Sequence, residues 1–187
     1  QSLALDFSWD SEFTNKSLKY LADSIKPLEK LSTLSLTFDL NVKFTDEGII
    51  PLAESFKSLI NLKDLNLLFS FEISDSGLGY LAKAMKGYTM IEIVRIRLAE
   101  TISLTNKGVI ELIEVLGVLN TLKEIHIEFL NARKINDESY ACLDKISGKF
   151  KRLEKLVFNL IGSRISKEKM LYYNEKFASI CDATLRN

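Results

Sequence analysis

The chain is poor in several things at once. It holds two prolines, eight glycines, two cysteines, one tryptophan and one histidine in 187 residues. So few prolines and glycines exclude a collagen-like or linker composition, and an apolar content of 47% with 27% charged excludes disorder. Two cysteines, Cys142 and Cys181, cannot make the disulfide framework that staples small secreted domains. Both fall inside apolar helical patterns, where a thiol packs as a small hydrophobe. A reducing compartment follows, and a cytoplasmic location is expected. Asn15-Lys16-Ser17 fits a glycosylation acceptor, but a pattern this permissive arises often by chance. Charge of one sign is missing too: 25 basic residues balance 25 acidic ones. An even chain has no overall electrostatic reason to coat nucleic acid or an anionic membrane, so neither is expected as a partner. No run of 18 apolar residues exists to span a bilayer.

What the chain has is a repeat. A marker phrase runs through it: an apolar residue, then Thr, Ser or Asn, then two residues, then usually Gly or Ser. It reads Phe13-Thr14-Asn15-Lys16-Ser17, Phe44-Thr45-Asp46-Glu47-Gly48, Ile73-Ser74-Asp75-Ser76-Gly77 and Leu104-Thr105-Asn106-Lys107-Gly108. It continues as Ile135-Asn136-Asp137-Glu138-Ser139 and a degraded Ile165-Ser166-Lys167-Glu168-Lys169. The copies start 31, 29, 31, 31 and 30 residues apart.

Apolar residues after each marker fall at steps of 3, 4 and 3, which places them on one helix face. The rows are Leu18, Leu21, Ile25, Leu28; Ile49, Leu52, Phe56, Leu59; Leu78, Leu81, Met85, Tyr88; and Val109, Leu112, Leu116, Leu119. The sixth is Met170, Tyr173, Phe177, Ile180. The fifth, Tyr140, Leu143, Ile146, Phe150, is out of step by one at its third position. The Thr, Ser or Asn of the marker suits an N-cap, although the Glu of a capping box is absent from the marker. The period then switches to two. Leu31-x-x-Leu34-x-Leu36-x-Phe38 recurs from Leu62, Ile91, Leu122 and Leu153, and Leu3-x-Leu5-x-Phe7 is a partial first copy. Alternation describes strands with one face buried. Strand and helix in units of about 30 residues give parallel strands, since each crossover helix returns the chain in the same direction. The apolar side chains of one unit cannot offset the entropy of ordering it, so the units must stack.

The phrase Leu-x-x-Leu-x-Leu, with its period and one helix per unit, resembles the leucine-rich repeat over all six copies. Unit length and marker look most like the ribonuclease-inhibitor-like subclass. The resemblance implies an α/β solenoid shaped as a curved horseshoe segment, with a parallel sheet on the concave face, helices on the convex face, and a protein bound to the concave surface. One feature departs from it. Family members commonly carry Asn or Cys five positions after the second conserved Leu, and here those positions are Ser8, Asp39, Ser70, Ala99, Leu130 and Ile161. No asparagine ladder exists there, while Phe38, Phe69 and Phe129 add a further inward residue to their strands. The expected organisation is one domain over 1–187. Gln1 to Phe7 offer no polar cap, so it is expected to be the C-terminal part of a longer chain or to have its first strand covered by another element.

Residues with chemical potential are sparse. His126 alone cannot hold zinc, which needs three or four clustered ligands, and nothing in the spacing suggests a Ser-His-acid arrangement. The glycines are scattered singly, so no phosphate loop appears. No cofactor, metal or small-molecule substrate is expected, and the chain reads as non-enzymatic. The outward strand positions say more. Between the core residues lie two rows: Ala4, Ser35, Asn66, Arg95, His126, Val157, and Asp6, Thr37, Leu68, Arg97, Glu128, Asn159. Neighbouring strands set Arg95 beside His126 and Arg97 beside Glu128. That pattern is either a cross-strand ion pair on a solvated sheet or a recognition strip flanked by Leu68, Leu130 and Ile161. Arginine beside exposed apolar groups is typical of binding hot spots. The candidate partner-binding residues are Asn66, Leu68, Arg95, Arg97, His126, Glu128 and Asn159.

Charge also divides along the array: residues 1–93 carry nine cations against thirteen anions, and residues 94–187 carry sixteen against twelve. Its densest basic cluster is Lys145, Lys149, Lys151, Arg152 and Lys155, at a helix exit where lysines are commonly solvated and favoured by the helix dipole. The expected function is an interaction scaffold holding another protein on the concave sheet or within a larger assembly. The alternative is a regulator of an enzyme: an inhibitor, a GTPase activator or a ubiquitin-ligase substrate receptor.

Overall fold

Strands and helices alternate through the chain: β1 (Ser2–Asp6), α1 (Asn15–Ile25), β2 (Thr33–Phe38), α2 (Asp46–Phe56), β3 (Asp64–Glu72), α3 (Asp75–Met85), β4 (Ile93–Glu100), α4 (Asn106–Leu116), β5 (Glu124–Phe129), α5 (Asp137–Ile146), β6 (Lys155–Leu160) and α6 (Lys167–Leu185). The computed structural model of the chain describes residues 1–9, 12–39 and 44–185, without the side chains of 179–185; those of Ile180 and Cys181 therefore lie outside the described residues. All six strands pair in parallel in chain order. The arrangement is an α/β, leucine-rich-repeat-like solenoid, as the alternating periods require. Leu34, Leu65, Val94 and Ile125 lie in register across the sheet and are fully or almost fully buried. Phe38, Phe69 and Phe129, the additional inward residues, are completely buried. Phe7, Phe13, Phe38, Phe44, Phe69 and Phe71 stack and tilt against one another along the β1–β3 half, with ring centroids 4.4–5.5 Å apart. Among the described residues no helix is long and apolar enough to cross a membrane.

The marker does more than cap its own helix. Its second polar residue reaches into the next unit. Asn15 Oδ1 accepts the backbone N–H of Thr45 at 3.1 Å, and Asn15 Nδ2 donates to Thr45 Oγ1 at 2.9 Å. Asp46 receives the backbone N–H of Ser74 at 3.1 Å and the Ser74 hydroxyl. Asp75 receives Thr105 N–H at 2.8 Å, the Thr105 hydroxyl at 2.6 Å and Gly108 N–H at 3.1 Å. Asn106 Oδ1 receives Asn136 N–H and the Ser139 hydroxyl, each at 3.0 Å. Each carboxylate or amide thus satisfies orphan donors at the start of the following helix, where negative charge is favoured. A ladder of Asn and Asp does exist in this chain, at the helix starts instead of the strand ends.

This contact explains the glycine of the marker. A methyl group at Gly77 would stand 2.3 Å from Asp46 Oδ1, and one at Gly108 would stand 2.6 Å from Asp75 Oδ1 and 2.9 Å from the Asp75 backbone. Only a missing side chain, or a serine that joins the ladder as Ser139 does, fits there. The last marker has neither. Lys169 occupies that position and sends its ammonium group to Asp137 Oδ2, while Asp137 Oδ1 is buried without a partner. The degraded sixth marker replaces a backbone rung with a charged side chain.

Two buried phenols tie units together as well. Tyr88 donates to Phe56 O at 3.0 Å and Tyr140 to Phe158 O at 2.8 Å. Burial pushes Tyr140 up to about 12, and Tyr88 higher still. A phenol whose pKa rises on folding supports the fold fully below about pH 10, its ordinary value, and loses that contribution as pH climbs through the folded pKa. The urea midpoint should therefore hold steady to about pH 10 and fall between about pH 10 and 12. An unchanged midpoint across that window would contradict the burial.

The ladder gives a second expectation. Asp75→Ala strands two backbone donors and should lower stability by about 2–3 kcal/mol. Asp75→Asn should cost under about 1 kcal/mol, because an amide can accept N–H and donate to Thr105 as Asn15 does to Thr45. Gly108→Ala should cost about 1–3 kcal/mol through overpacking. Urea denaturation of the three variants checks the order; equal losses for Ala and Asn at position 75 would show that charge matters here and acceptor geometry does not.

Candidate functional site

Period-two strands fix which side chains face the inner surface of the sheet. On β3, β4 and β5 the inward residues are buried, while Asn66, Leu68, Arg95, His126 and Glu128 are half-buried and Arg97 is exposed. Cα pairing sets Asn66 beside Arg95 and Arg95 beside His126; in the next row Leu68, Arg97, Glu128 and Asn159 follow one another. Six of the seven candidate residues, together with buried Ile96, line one shallow depression of about 160 Å³. Asn159 is in register beside Glu128 but outside that depression. A second depression of about 200 Å³, lined by Asp39, Leu68, Ser70, Arg97, Ala99 and Glu100, shares Leu68 and Arg97 with it. These two residues form the ridge between the hollows.

The two arginines behave differently. Arg95 uses its whole guanidinium inside the sheet: Nη1 donates to Asp64 at 3.0 and 3.3 Å, and Nε and Nη2 donate to Glu124 at 3.2 Å each. Lys155 approaches Glu124 from the other side at 3.4 Å. Burial works against the Glu124 carboxylate, but the hydrogen bonds and charge of Arg95, with Lys155 behind it, outweigh burial and hold its pKa below the usual range. Arg95 is likewise disfavoured by burial and more than compensated by Glu124 and Asp64. Arg97 makes no hydrogen bond among the described residues. Its Nε stands 3.8 Å from Glu128 Oε1, and its side chain is 51% exposed. His126 Nε2 lies 3.6 Å from the other oxygen of Glu128. The expected Arg97–Glu128 pair is present, though loose, and Arg95 turns to carboxylates instead of its neighbour His126.

Asp64 and Glu124 are the residues that sequence reasoning missed. They form a third outward row, Ser2, Thr33, Asp64, Ile93, Glu124, Lys155, one alternation before the two rows read from the pattern. The same period-two rule extended by one step finds them. Leu130 is half-buried, as Leu68 is, and Ile161 is 49% exposed. Among the described residues no three His, Cys, Asp or Glu side chains gather closely enough to hold a metal ion.

Neither a protein-family model nor a curated protein matches the chain. Solved structures do. The leiomodin-1 actin-binding site 2 is similar over 98% of this chain and 82% of its own, at 13% identity with a TM-score of 0.50. At that identity the likeness shows the fold alone. Rad7 from the yeast Rad7–Elc1 complex is 25% identical, with a TM-score of 0.47; the match covers 82% of this chain and 41% of Rad7.

The division between the arginines predicts unequal effects on stability. Arg95→Ala leaves Asp64 and Glu124 crowded without their common cation and should lower stability by about 1 kcal/mol, the side chain being one-third exposed. Arg97→Ala should stay within about 0.5 kcal/mol of the parent. Urea midpoints decide; a loss at position 97 as large as at position 95 would mean that Arg97 is structural.

Proposed function

We propose that the chain is a non-enzymatic protein-interaction scaffold that holds its partner on the concave sheet, centred on Arg97 and Leu68. One observation carries the reading. Of two arginines on the same strand, one is consumed by internal hydrogen bonds and the other is half-exposed beside an apolar side chain with its donors unused. An unspent guanidinium next to apolar surface is what interface hot spots are made of, because binding desolvates it at little structural cost. Asn66, His126, Glu128 and Asn159 surround it as the polar rim. The unit length of 29–31 residues with one helix per unit supports the ribonuclease-inhibitor-like subclass, and the paucity of cysteine supports a cytoplasmic setting. The leiomodin-1 segment of like fold is named for binding actin; an actin surface is not carried over to this face. No observation here favours an enzyme regulator over a scaffold.

The test is affinity capture with the parent chain and with Arg97→Glu, followed by titration of the captured protein. Arg97→Glu and Glu128→Lys should each weaken binding about tenfold while leaving the urea midpoint in place. Unchanged affinity for both variants would move the partner to another face.

A further inference from the structure

Total charge is even in this chain, but its placement is not. Because the strands pair in parallel in chain order, the five turns that lead from a helix into the next strand lie along one edge of the stack. They are residues 26–32, 57–63, 86–92, 117–123 and 147–154. These turns hold nine cations and three anions, whereas the six turns of the opposite edge, leading from strand to helix, hold four cations and three anions. Helix dipoles account for part of the excess, since Lys26, Lys57, Lys86 and Lys149 stand at helix ends. Lys30, Lys63, Lys123, Lys151 and Arg152 lie further along their turns, where that attraction has faded.

Most of these cations are not used inside the fold. Lys57 is paired with Glu54 and Lys123 with Glu92, each at 2.7 Å. Among the described residues the side chains of the other seven make no hydrogen bond or ion pair, and only Glu29 and Glu154 remain in these turns to set against them. Apolar side chains protrude among the cations. Ile60 is 55% exposed, Met90 41% and Val118 49%, in three successive turns. The strand register supplies their counterparts. Ile60 stands where the other turns hold Glu29, Thr89, Asn120 and Lys151, and Met90 where they hold Lys30, Asn61, Thr121 and Arg152. Each is the one apolar residue of its row, and the fold covers neither. Trp9, Ile102 and Ile161 protrude on the opposite edge, without the excess of cations.

We propose that the helix-to-strand edge docks on an anionic bilayer, with Ile60, Met90 and Val118 entering the headgroup region and the unpaired lysines and Arg152 facing the charged headgroups. Charge complementarity selects an anionic partner for this edge and not for the opposite one. The protruding apolar groups select a bilayer among anionic partners: a duplex backbone gives them nothing to bury against, whereas the boundary between headgroups and acyl chains does. Attachment of this kind is peripheral and needs no membrane-spanning helix. The surface is independent of the concave site, and a chain held by this edge keeps Arg97 and Leu68 open to a partner.

Cosedimentation with vesicles tests this, comparing phosphatidylcholine alone with phosphatidylcholine containing about 30% phosphatidylserine. The chain should bind the anionic vesicles at least about tenfold more tightly, and progressively less as salt rises. Lys86→Glu/Lys151→Glu should weaken that binding at least about tenfold, and Ile60→Ser/Met90→Ser at least about threefold. Arg133→Glu/Lys134→Glu makes the same change of charge on the opposite edge and should bind as the parent does. All six side chains are exposed, so the urea midpoints should stay in place. No binding to the anionic vesicles, equal binding to both kinds, full binding by either helix-to-strand-edge variant, or an equal loss on Arg133→Glu/Lys134→Glu would each overturn the proposal. Duplex DNA bound by the chain and not displaced by excess anionic vesicles would assign the edge to nucleic acid and overturn it too.

Discussion

The first five units of this solenoid are joined one to the next by side chains that complete the start of the following helix. Asn15, Asp46, Asp75 and Asn106, each just after an N-cap, accept backbone amides that the next helix leaves unsatisfied, and Asp75 reaches two at once. Hydrophobic stacking is non-directional and would tolerate units that slide or tilt. The ladder is directional. It fixes the distance between successive helix starts, and with it the alignment of the parallel strands they flank. Glycine or serine two residues further on is then a steric requirement of the neighbour, unrelated to any left-handed backbone. That is why the marker survives where the surrounding sequence varies.

Fixed strand alignment in turn decides what the inner surface can do. With Cα pairs in register from β1 to β6, outward side chains stand in rows, and each row mixes residues from units distant in sequence. Arg95 can use Asp64 and Glu124 because they flank it in the adjacent row, 31 residues before and 29 after it. Arg97, one alternation along the same strand, has Leu68 on one side and only Glu128 on the other. A difference of two residues in sequence separates a structural cation from an available one. The sheet supplies the geometry; the identity of the neighbours decides which guanidinium stays accessible.

Most of the architecture was legible in the sequence because two periods, two and about 3.6, each dictate a burial pattern with no further information. The helix rows and strand rows emerge buried where the spacing put them; Leu3, Leu5, Phe7, Leu21, Leu28, Leu156, Met170 and Tyr173 are half-buried, mostly in the end units. What resisted was contact between units. The marker reads naturally as a local N-cap, and the side chains of Ser74, Thr105 and Asn136 do accept local N–H groups. Nothing along one unit reveals that Asp75 acts on residue 105, since that link depends on helix spacing across the stack. The site shows the same limit. Arg95 and Arg97 are equivalent by periodicity, and only the placement of Asp64 and Glu124 tells them apart.

A repeat is its own control, and this changes how its exceptions should be weighed. In a chain of unique elements an unusual residue has nothing to be compared with. Here each position has five counterparts in the same physical setting, so a substitution that lowers local packing without repaying it structurally stands out. Lys169 is repaid, since it bridges to Asp137 at the ladder's last rung. Arg95 is repaid by two carboxylates. Arg97 is repaid only by a loose approach to Glu128 at 3.8 Å, with half of its side chain exposed. Stability alone would favour a closer, hydrogen-bonded carboxylate for that guanidinium. A position so weakly repaid inside the stack is where the proposed partner contact is centred.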